Sequence, residues 1–214
     1  ADPTKVRLVP ATIHKKGTPK ERGEWLEEIV KSTKAIAALN ASGFNDPSGM
    51  NWASKPMGLV IIEGKIVQNY DTAQSDTALG ITYDGKLITG DYTGAEMLAM
   101  GVRSAVSFKP QLVVDGQSLF TKEQGAWGYQ PRSAVGQTAD GTILLLQIDG
   151  RKKASIGASM KDMADLMIEY GAINAMAMDG GTSAFLSYRG ETKTISPVED
   201  KRGRFLPNAW VVTE

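Results

Sequence analysis

Three short turns built on an acidic residue and a glycine divide the middle of the chain into pairs of apolar runs. Glycine accepts the positive φ angles that tight hairpin turns require, so Asp-Gly between apolar runs is a strong local hairpin signal. The pattern predicts three antiparallel β-hairpins and favours a fold built largely from them. The turns, with their flanking runs, are Glu63-Gly64-Lys65 (59–62 and 66–67), Asp84-Gly85 (78–83 and 86–89) and Asp140-Gly141 (135–139 and 142–148).

Helical signals are fewer. Apolar residues recur at helical spacing over residues 23–38, although residues 35–39 could instead form a separate strand. Residues 93–100 predict a short helix, and a clearer one opens at Ser159, with Asp162 placed for a capping box. We therefore predict a single mixed α+β domain, in which a hairpin-rich sheet packs with a few α-helices. Residues 1–38 form an N-terminal arm and helix, and residues 39–214 form the main body.

Composition excludes several functions. Of the 214 residues, 24 are Lys or Arg and 24 are Asp or Glu, so no basic excess points to nucleic acid. No apolar run is long enough to span a membrane. The absence of cysteine excludes disulfides and thiolate chemistry. The single histidine, His14, lies beside two lysines, so acid–base chemistry is expected from Asp, Glu, Tyr or Lys.

The sequence Asp179-Gly180-Gly181-Thr182-Ser183 follows a short apolar run that predicts a buried strand. A carboxylate, two glycines and two hydroxyls at a strand end can form a site, because glycine lets a ligand approach the backbone closely. The same residues could instead form a two-residue hairpin turn. From the pentapeptide alone both interpretations stay open.

Further polar clusters also follow apolar runs, and each has a simpler interpretation. Asp115-Gly116 and Asp149-Gly150 could be turns, and Arg132, Arg202 and Arg204 could be solvated surface arginines. Together the clusters offer arginines for a phosphate and carboxylates for an oxocarbenium-like centre. The clusters are Asn40 with Ser42 and Gly43; Asp115-Gly116; Pro131-Arg132-Ser133 with Asp149-Gly150-Arg151; Asp179–Ser183; and Arg202-Gly203-Arg204 with Asn208.

The order of these motifs resembles the phosphodiester glycosidase family over about residues 39–212. Ala41-Ser42 replaces the usual Gly-Gly element of that family, and Thr182 stands where many members have a third glycine. The matching stretches are Asn40–Phe44, Pro131–Gly136, Asp140-Gly141 with Leu144–Gly150, Met163–Met167, Gly171–Ala175, Asp179–Ser183 and Pro207–Val212.

The resemblance implies hydrolysis of a sugar-1-phosphodiester at the anomeric carbon–oxygen bond, with a phosphomonoester as leaving group. It implies that Arg132 binds the phosphate, with Arg204 as second candidate. Asp179 is the expected nucleophile or base, with Asp149 or Asp115 as second choice. The expected substrate contacts are Asn40, Ser42, Gly43, Asp115, Ser133, Gly180, Gly181, Thr182, Ser183, Arg204 and Asn208.

The expected partner is a small or polymeric glycan phosphodiester, such as a cell-wall or exopolysaccharide component. No cofactor is required by this chemistry, and a Ca²⁺ or Mg²⁺ site remains open. The resemblance favours a bacterial protein at the cell surface or outside the cell, although a cysteine-free chain also suits the cytoplasm. Two alternatives remain: a non-catalytic domain that binds a phosphorylated glycan, and a structural module whose polar clusters do not meet in space.

Overall fold

A computed structural model describes residues 1–13, 21–46, 52–68, 74–120 and 127–214. His14 and the end of the expected N-terminal arm lie outside these residues. Within these ranges the helices are α1 (Leu26–Thr33), α2 (Gly94–Ala99) and α3 (Met160–Glu169), and short 3₁₀ turns cover Pro3–Lys5 and Gly181–Ser183.

In the described part of the chain the strands form three five-stranded sheets, and every named strand pair is antiparallel. In chain order the strands are β1 (Val6–Pro10), β2 (Ala37–Asn40), β3 (Val60–Ile62), β4 (Lys65–Gln68), β5 (Asp76–Thr82), β6 (Leu87–Tyr92), β7 (Val102–Ser107), β8 (Gln111–Val114), β9 (Gln117–Ser118), β10 (Arg132–Thr138), β11 (Ile143–Ile148), β12 (Ala172–Met178), β13 (Leu186–Tyr188), β14 (Glu191–Thr192) and β15 (Asn208–Val212). The sheet orders are β1-β15-β2-β13-β14, β11-β10-β12-β8-β9 and β4-β3-β7-β5-β6.

All three predicted hairpins are confirmed as β3–β4, β5–β6 and β10–β11. Gly85 and Gly141 close two of them with φ angles of 86° and 88°, which explains why glycine stands there. The predicted α+β class is also correct, and the helices are short insertions between the strands.

Local capping chemistry fixes two of the helices where the sequence predicts them. Thr93 and Glu96 form a capping box at the start of α2, and Ser159 and Asp162 form one at α3. Helix α1 is shorter than the spacing of residues 23–38 predicts. It ends at Lys34, which is left-handed at φ 54°, and the chain then enters β2, so the strand alternative for residues 35–39 is the better one.

One hydrophobic core joins the three sheets. Leu39 and Trp210 from the first sheet, Val135 from the second and Leu79 from the third are fully buried in one cluster. Strand β1 belongs to this body, because it pairs with β15 along its whole length, and α1 packs into the same body through Leu26, Ile29 and Val30. Packing the sheets together brings the end of β2, the end of β12 and the start of β10 to one place, where the candidate site lies.

Candidate active site

The site is built where β12 ends beside the start of β10. Ser133 of β10 pairs with Met178 of β12, so Arg132 and Asp179 follow as the next neighbours across the two strands. The backbone N–H of Asp179 donates to the carbonyl of Ala41, at 3.1 Å, which ties this sheet to the segment after β2. The candidate acid and the candidate phosphate ligand therefore meet although the sequence separates them widely.

Asn40 stabilises this junction through three hydrogen bonds. Its amide donates to the carbonyl of Asp179 at 2.6 Å, and its Oδ1 accepts from the Ser133 hydroxyl at 2.7 Å and from the Phe185 N–H at 3.1 Å. Asn40 and Ser133 are completely buried. Sequence analysis expects both to contact substrate, whereas the structure commits their polar atoms to each other and to the backbone. They fix the position of Asp179 instead.

Ser42 and Asn208 form a second buried pair. Asn208 accepts from the Ser42 N–H and donates to the Ser42 hydroxyl, both at 2.9 Å. Each residue is only 1% exposed, so neither contacts a substrate in this structure. The pair joins the segment after β2 to the start of β15. Of the three substrate contacts expected in this segment, only Gly43 is partly exposed. It lines a cavity described below.

The Asp179 carboxylate is the most perturbed acid of the site. Burial raises the pKa of Asp179 to about 6, although the Ser183 hydroxyl, the charge of Arg204 and the Gly180 N–H act in the opposite direction. The residue as a whole keeps part of its surface exposed. Asp179 is thus a desolvated carboxyl with a near-neutral pKa on a partly exposed residue, which suits acid–base or nucleophilic catalysis.

The glycines after Asp179 form a 3₁₀ turn rather than a two-residue hairpin, because the chain leaves β12 for a different sheet. The N–H of Gly181 donates to the Pro131 carbonyl at 2.8 Å, so the turn lies against the start of β10. A Cβ atom at Gly180 would stand 3.0 Å from that carbonyl oxygen and 3.8 Å from Nη1 of Arg132. Any side chain at position 180 would therefore press against the Pro131 carbonyl, whereas its contact with Arg132 would be ordinary.

Arg132 is a buried guanidinium with one free edge. Its Nε donates to the Ala158 carbonyl at 3.1 Å, and its Nη2 donates to the carbonyls of Trp127 and Gly128 at 2.7 and 2.8 Å. Among the described residues Nη1 has no acceptor, and it lies beside Gly180. Burial and the charge of Arg151 lower the pKa of Arg132 from its ordinary value, although an arginine stays charged.

Arg151 stands in one of the predicted polar clusters, but the sequence assigns it no role. Its guanidinium lies against Gly181, where Nη2 would be 3.4 Å from a Cβ atom, and its Nε donates to Gln130 at 2.6 Å. Neither Arg151 nor Arg132 is within ion-pair distance of a carboxylate in the described part of the chain. Two like charges, one of them buried, with no counter-ion among the described residues form a site suited to an anion.

Arg204 has a different role from the phosphate ligand expected of it. Its Nη2 pairs with Asp46, and its Nη1 donates to the Thr182 hydroxyl at 3.1 Å. The guanidinium also lies 4.4 Å above the ring of Phe44. Because Asp46 neutralises its charge and Thr182 uses a donor, Arg204 positions the turn after Asp179.

The two second-choice carboxylates are placed apart from Asp179. Asp149 lies at the same edge of the sheet, but β10 intervenes, so the two backbones are about two strand spacings, or roughly 10 Å, apart. Its Oδ1 accepts from Gln147 at 3.0 Å and from the Ile195 N–H at 2.9 Å, which makes it a loop anchor.

Asp115 does not reach the site. It forms the β8–β9 turn, as its simpler interpretation predicts, and Gly116 beside it bonds to the carbonyl of Ile173 at the start of β12. Asp179 lies at the other end of that strand, roughly 20 Å away at 3.3 Å per residue. We therefore remove Asp115 from the candidate site.

The other four clusters each place at least one residue near the turn after Asp179, which contradicts a structural module with scattered clusters. Arg202 is an exception within its cluster, because it pairs with Asp200 and stacks on Trp25. The described residues contain no group of three or more Asp, Glu or His arranged to hold a metal ion. Within the same ranges, no helix is both long and apolar enough to cross a membrane.

Known proteins resemble the chain in sequence and in fold. The family model described as phosphodiester glycosidase matches residues 33–213. An uncharacterised SPbeta prophage-derived protein of Bacillus subtilis is 31% identical over 83% of the chain and 28% of its own length. The bovine N-acetylglucosamine-1-phosphodiester alpha-N-acetylglucosaminidase is 25% identical over 78% of the chain and 34% of its own length. The chain thus spans about a third or less of these relatives.

Solved structures share the fold. The catalytic domain of the zebrafish N-acetylglucosamine-1-phosphodiester alpha-N-acetylglucosaminidase superposes with a TM-score of 0.79 at 22% identity, over 99% of this chain and 74% of that one. A hypothetical protein from Synechocystis gives a TM-score of 0.71 at 16% identity, over 99% and 57%. With the family match spanning most of the sequence, the chain belongs to the phosphodiester glycosidase family.

Proposed function

We propose that this protein hydrolyses the glycosidic bond of a sugar-1-phosphodiester and releases a sugar and a phosphomonoester. The observation that carries the proposal is the pair Arg132 and Arg151, which lie beside Gly180 and Gly181 after Asp179 and have no carboxylate partner among the described residues. A phosphodiester bound there supplies the negative charge that the pair lacks, and its anomeric carbon then faces the acid.

In this scheme the two arginines stabilise the leaving group by their charge, so no general acid has to protonate it. As the anomeric carbon–oxygen bond breaks, negative charge grows on the departing phosphate oxygen, and the two guanidinium groups stabilise it. Arg132 is held by three backbone carbonyls, so its free edge is already oriented before substrate arrives. A site without a described histidine is sufficient because the leaving group is a stable anion.

Asp179 acts as the base in a single displacement. In its ionised form it takes a proton from a water molecule that attacks the anomeric carbon opposite the phosphate. Retaining enzymes use two carboxyl groups about 5–5.5 Å apart. Asp149, the second carboxylate expected from the sequence, instead anchors a loop by accepting from Gln147 and the Ile195 N–H. The scheme therefore predicts an inverted anomeric configuration in the released sugar.

The test is hydrolysis of an N-acetylglucosamine-1-phosphodiester, the substrate class named for the bovine relative. We expect turnover by the wild type and a loss of at least about 100-fold in kcat for Asp179→Asn and for Arg132→Ala. Asp115→Asn, at the far end of β12, is the matched control and keeps wild-type activity. Full activity of both site variants contradicts the proposal, and tight binding without turnover favours a non-catalytic glycan-binding domain.

A further inference from the structure

A cavity of about 510 Å³ opens beside the candidate site. Gly43, the residue after the buried Ser42–Asn208 pair, lines one side of it, and Trp127, whose carbonyl accepts from Arg132, lines another. The volume lies in the range of small-molecule binding pockets. Asp179 is not part of its wall, so the cavity extends the site beyond the position of bond cleavage.

The polar wall of the cavity carries more negative than positive charge. The described lining contains two carboxylates, Asp76 and Asp91, and one cation, Lys109. Asp76 accepts from the Ser107 hydroxyl at 3.2 Å, and Asp91 accepts from Thr77 at 2.6 Å, so each carboxylate is oriented and still has acceptor capacity left. A second phosphate would be repelled here, whereas hydroxyl groups would find acceptors.

The apolar wall consists of Phe108, Met57 and Trp127, which is 47% exposed. An exposed tryptophan offers a large rigid surface against which the C–H face of a sugar ring can pack. A fully apolar ligand would leave the two carboxylates desolvated without donors, which is costly. A hard cation needs about six oxygen ligands, and two hydrogen-bonded carboxylates do not supply them.

We propose that this cavity is a second sugar subsite, which binds an uncharged hydroxylated ring through Asp76, Asp91 and Trp127 while the phosphodiester lies at Arg132 and Arg151. The proposal rests on the proposed function of the adjoining site. The substrate then has a sugar ring in addition to the one that is cleaved. That ring is attached either beyond the phosphate or to the cleaved sugar itself.

The experiment compares three substrates: a monosaccharide 1-(methyl phosphate), the same monosaccharide 1-phosphate esterified to a second sugar, and a disaccharide 1-(methyl phosphate). We expect one of the two-ring substrates to exceed the first in kcat/KM. That preference should fall at least about tenfold in Asp91→Asn and in Trp127→Ala, the effect of losing one hydrogen bond to a charged group or one ring contact. Whichever two-ring substrate is preferred identifies the position of the second ring.

Two controls keep the outcomes separate. Tyr170→Ala removes an aromatic residue that is 65% exposed outside the cavity, and it should leave the preference unchanged. Since the preference is a ratio within one variant, a partial loss of folded protein cancels. Equal kcat/KM for all three substrates, or a preference unaltered in both variants, overturns the subsite.

Binding without turnover tests the subsite when the proposed function fails. Saturation-transfer NMR with methyl glycosides should detect contacts in the wild type and in Asp179→Asn, and weaker contacts in Asp91→Asn. If such binding occurs without turnover, the proposed hydrolysis is wrong and the subsite stands. If neither binding nor turnover occurs, the subsite is wrong as well.

Discussion

Replacing Asp179 by asparagine should stabilise the protein at alkaline pH while it abolishes activity. Burial raises the pKa of the Asp179 carboxyl from 3.8 to about 6, so the folded state disfavours the ionised form. The folded protein binds this proton more tightly than the unfolded chain does. The stabilising contribution is therefore complete below pH 3.8 and is lost as the pH rises through about 6.

The size of the effect follows from the shift. At 1.36 kcal/mol per pKa unit, the raised pKa of Asp179 lowers the free energy of unfolding, relative to strongly acidic pH, by about 3 kcal/mol at pH 8. The corresponding loss is about 1.6 kcal/mol at pH 5 and about 0.5 kcal/mol at pH 4. Asparagine keeps the shape of the side chain and removes the charge. The free energy of unfolding of Asp179→Asn relative to wild type should thus increase by roughly 2 to 3 kcal/mol between pH 4 and pH 8.

Urea unfolding of both proteins across this pH range measures the difference. Asp140→Asn is a control of opposite sign, because hydrogen bonds from Thr138 and Thr142 lower the pKa of exposed Asp140. That variant should lose stability relative to wild type as the pH rises toward 3.8, and the difference should stay nearly constant from pH 4 to pH 8. A pH-independent difference for Asp179→Asn, or a variant less stable than wild type at pH 8, would refute the environment we describe for this carboxyl.

Three further predictions concern the same site. The kcat/KM value should rise with pH through about 6 and then level off, since the base form of Asp179 is active; a fall through that range in a pH–rate profile contradicts this role. Inorganic phosphate should raise the Tm of the wild type and raise it less in Arg151→Ala, as measured by calorimetry; equal shifts would exclude Arg151 from anion binding. Asn40→Ala should cost about 2 to 4 kcal/mol in urea unfolding, because three buried partners lose their hydrogen bonds.

Hairpins and capped helices could be predicted because their signals are local. Asp84-Gly85 and Asp140-Gly141 specify their turns through two adjacent residues, and Ser159 specifies the start of α3 within one helical turn. The end of α1 could not be placed in this way, because residues 35–39 have spacing that suits both a helix and a strand. Pairing with β15 decides for the strand.

Which residues gather at the site could be predicted in part, but the role of each could not. Ser133 lies 93 residues from Asn40, and Asn208 lies 166 residues from Ser42, so burial and mutual hydrogen bonding arise only when the sheets pack. A polar residue after a strand has the same sequence signal whether it faces a ligand or the core. Arg151 stands in a predicted cluster, but nothing in the sequence separates it from the surface arginines that most often follow a glycine turn.

The position of the solvent oxygen in the products tests directly whether water attacks the anomeric carbon. Hydrolysis of a sugar-1-phosphodiester in ¹⁸O-water distinguishes cleavage of the carbon–oxygen bond from cleavage of the phosphorus–oxygen bond. We expect mass spectrometry to find the label in the released sugar and none in the phosphomonoester. Label in the phosphomonoester would contradict this expectation, because water would then have attacked phosphorus, and Asp179 would not be acting at the anomeric carbon.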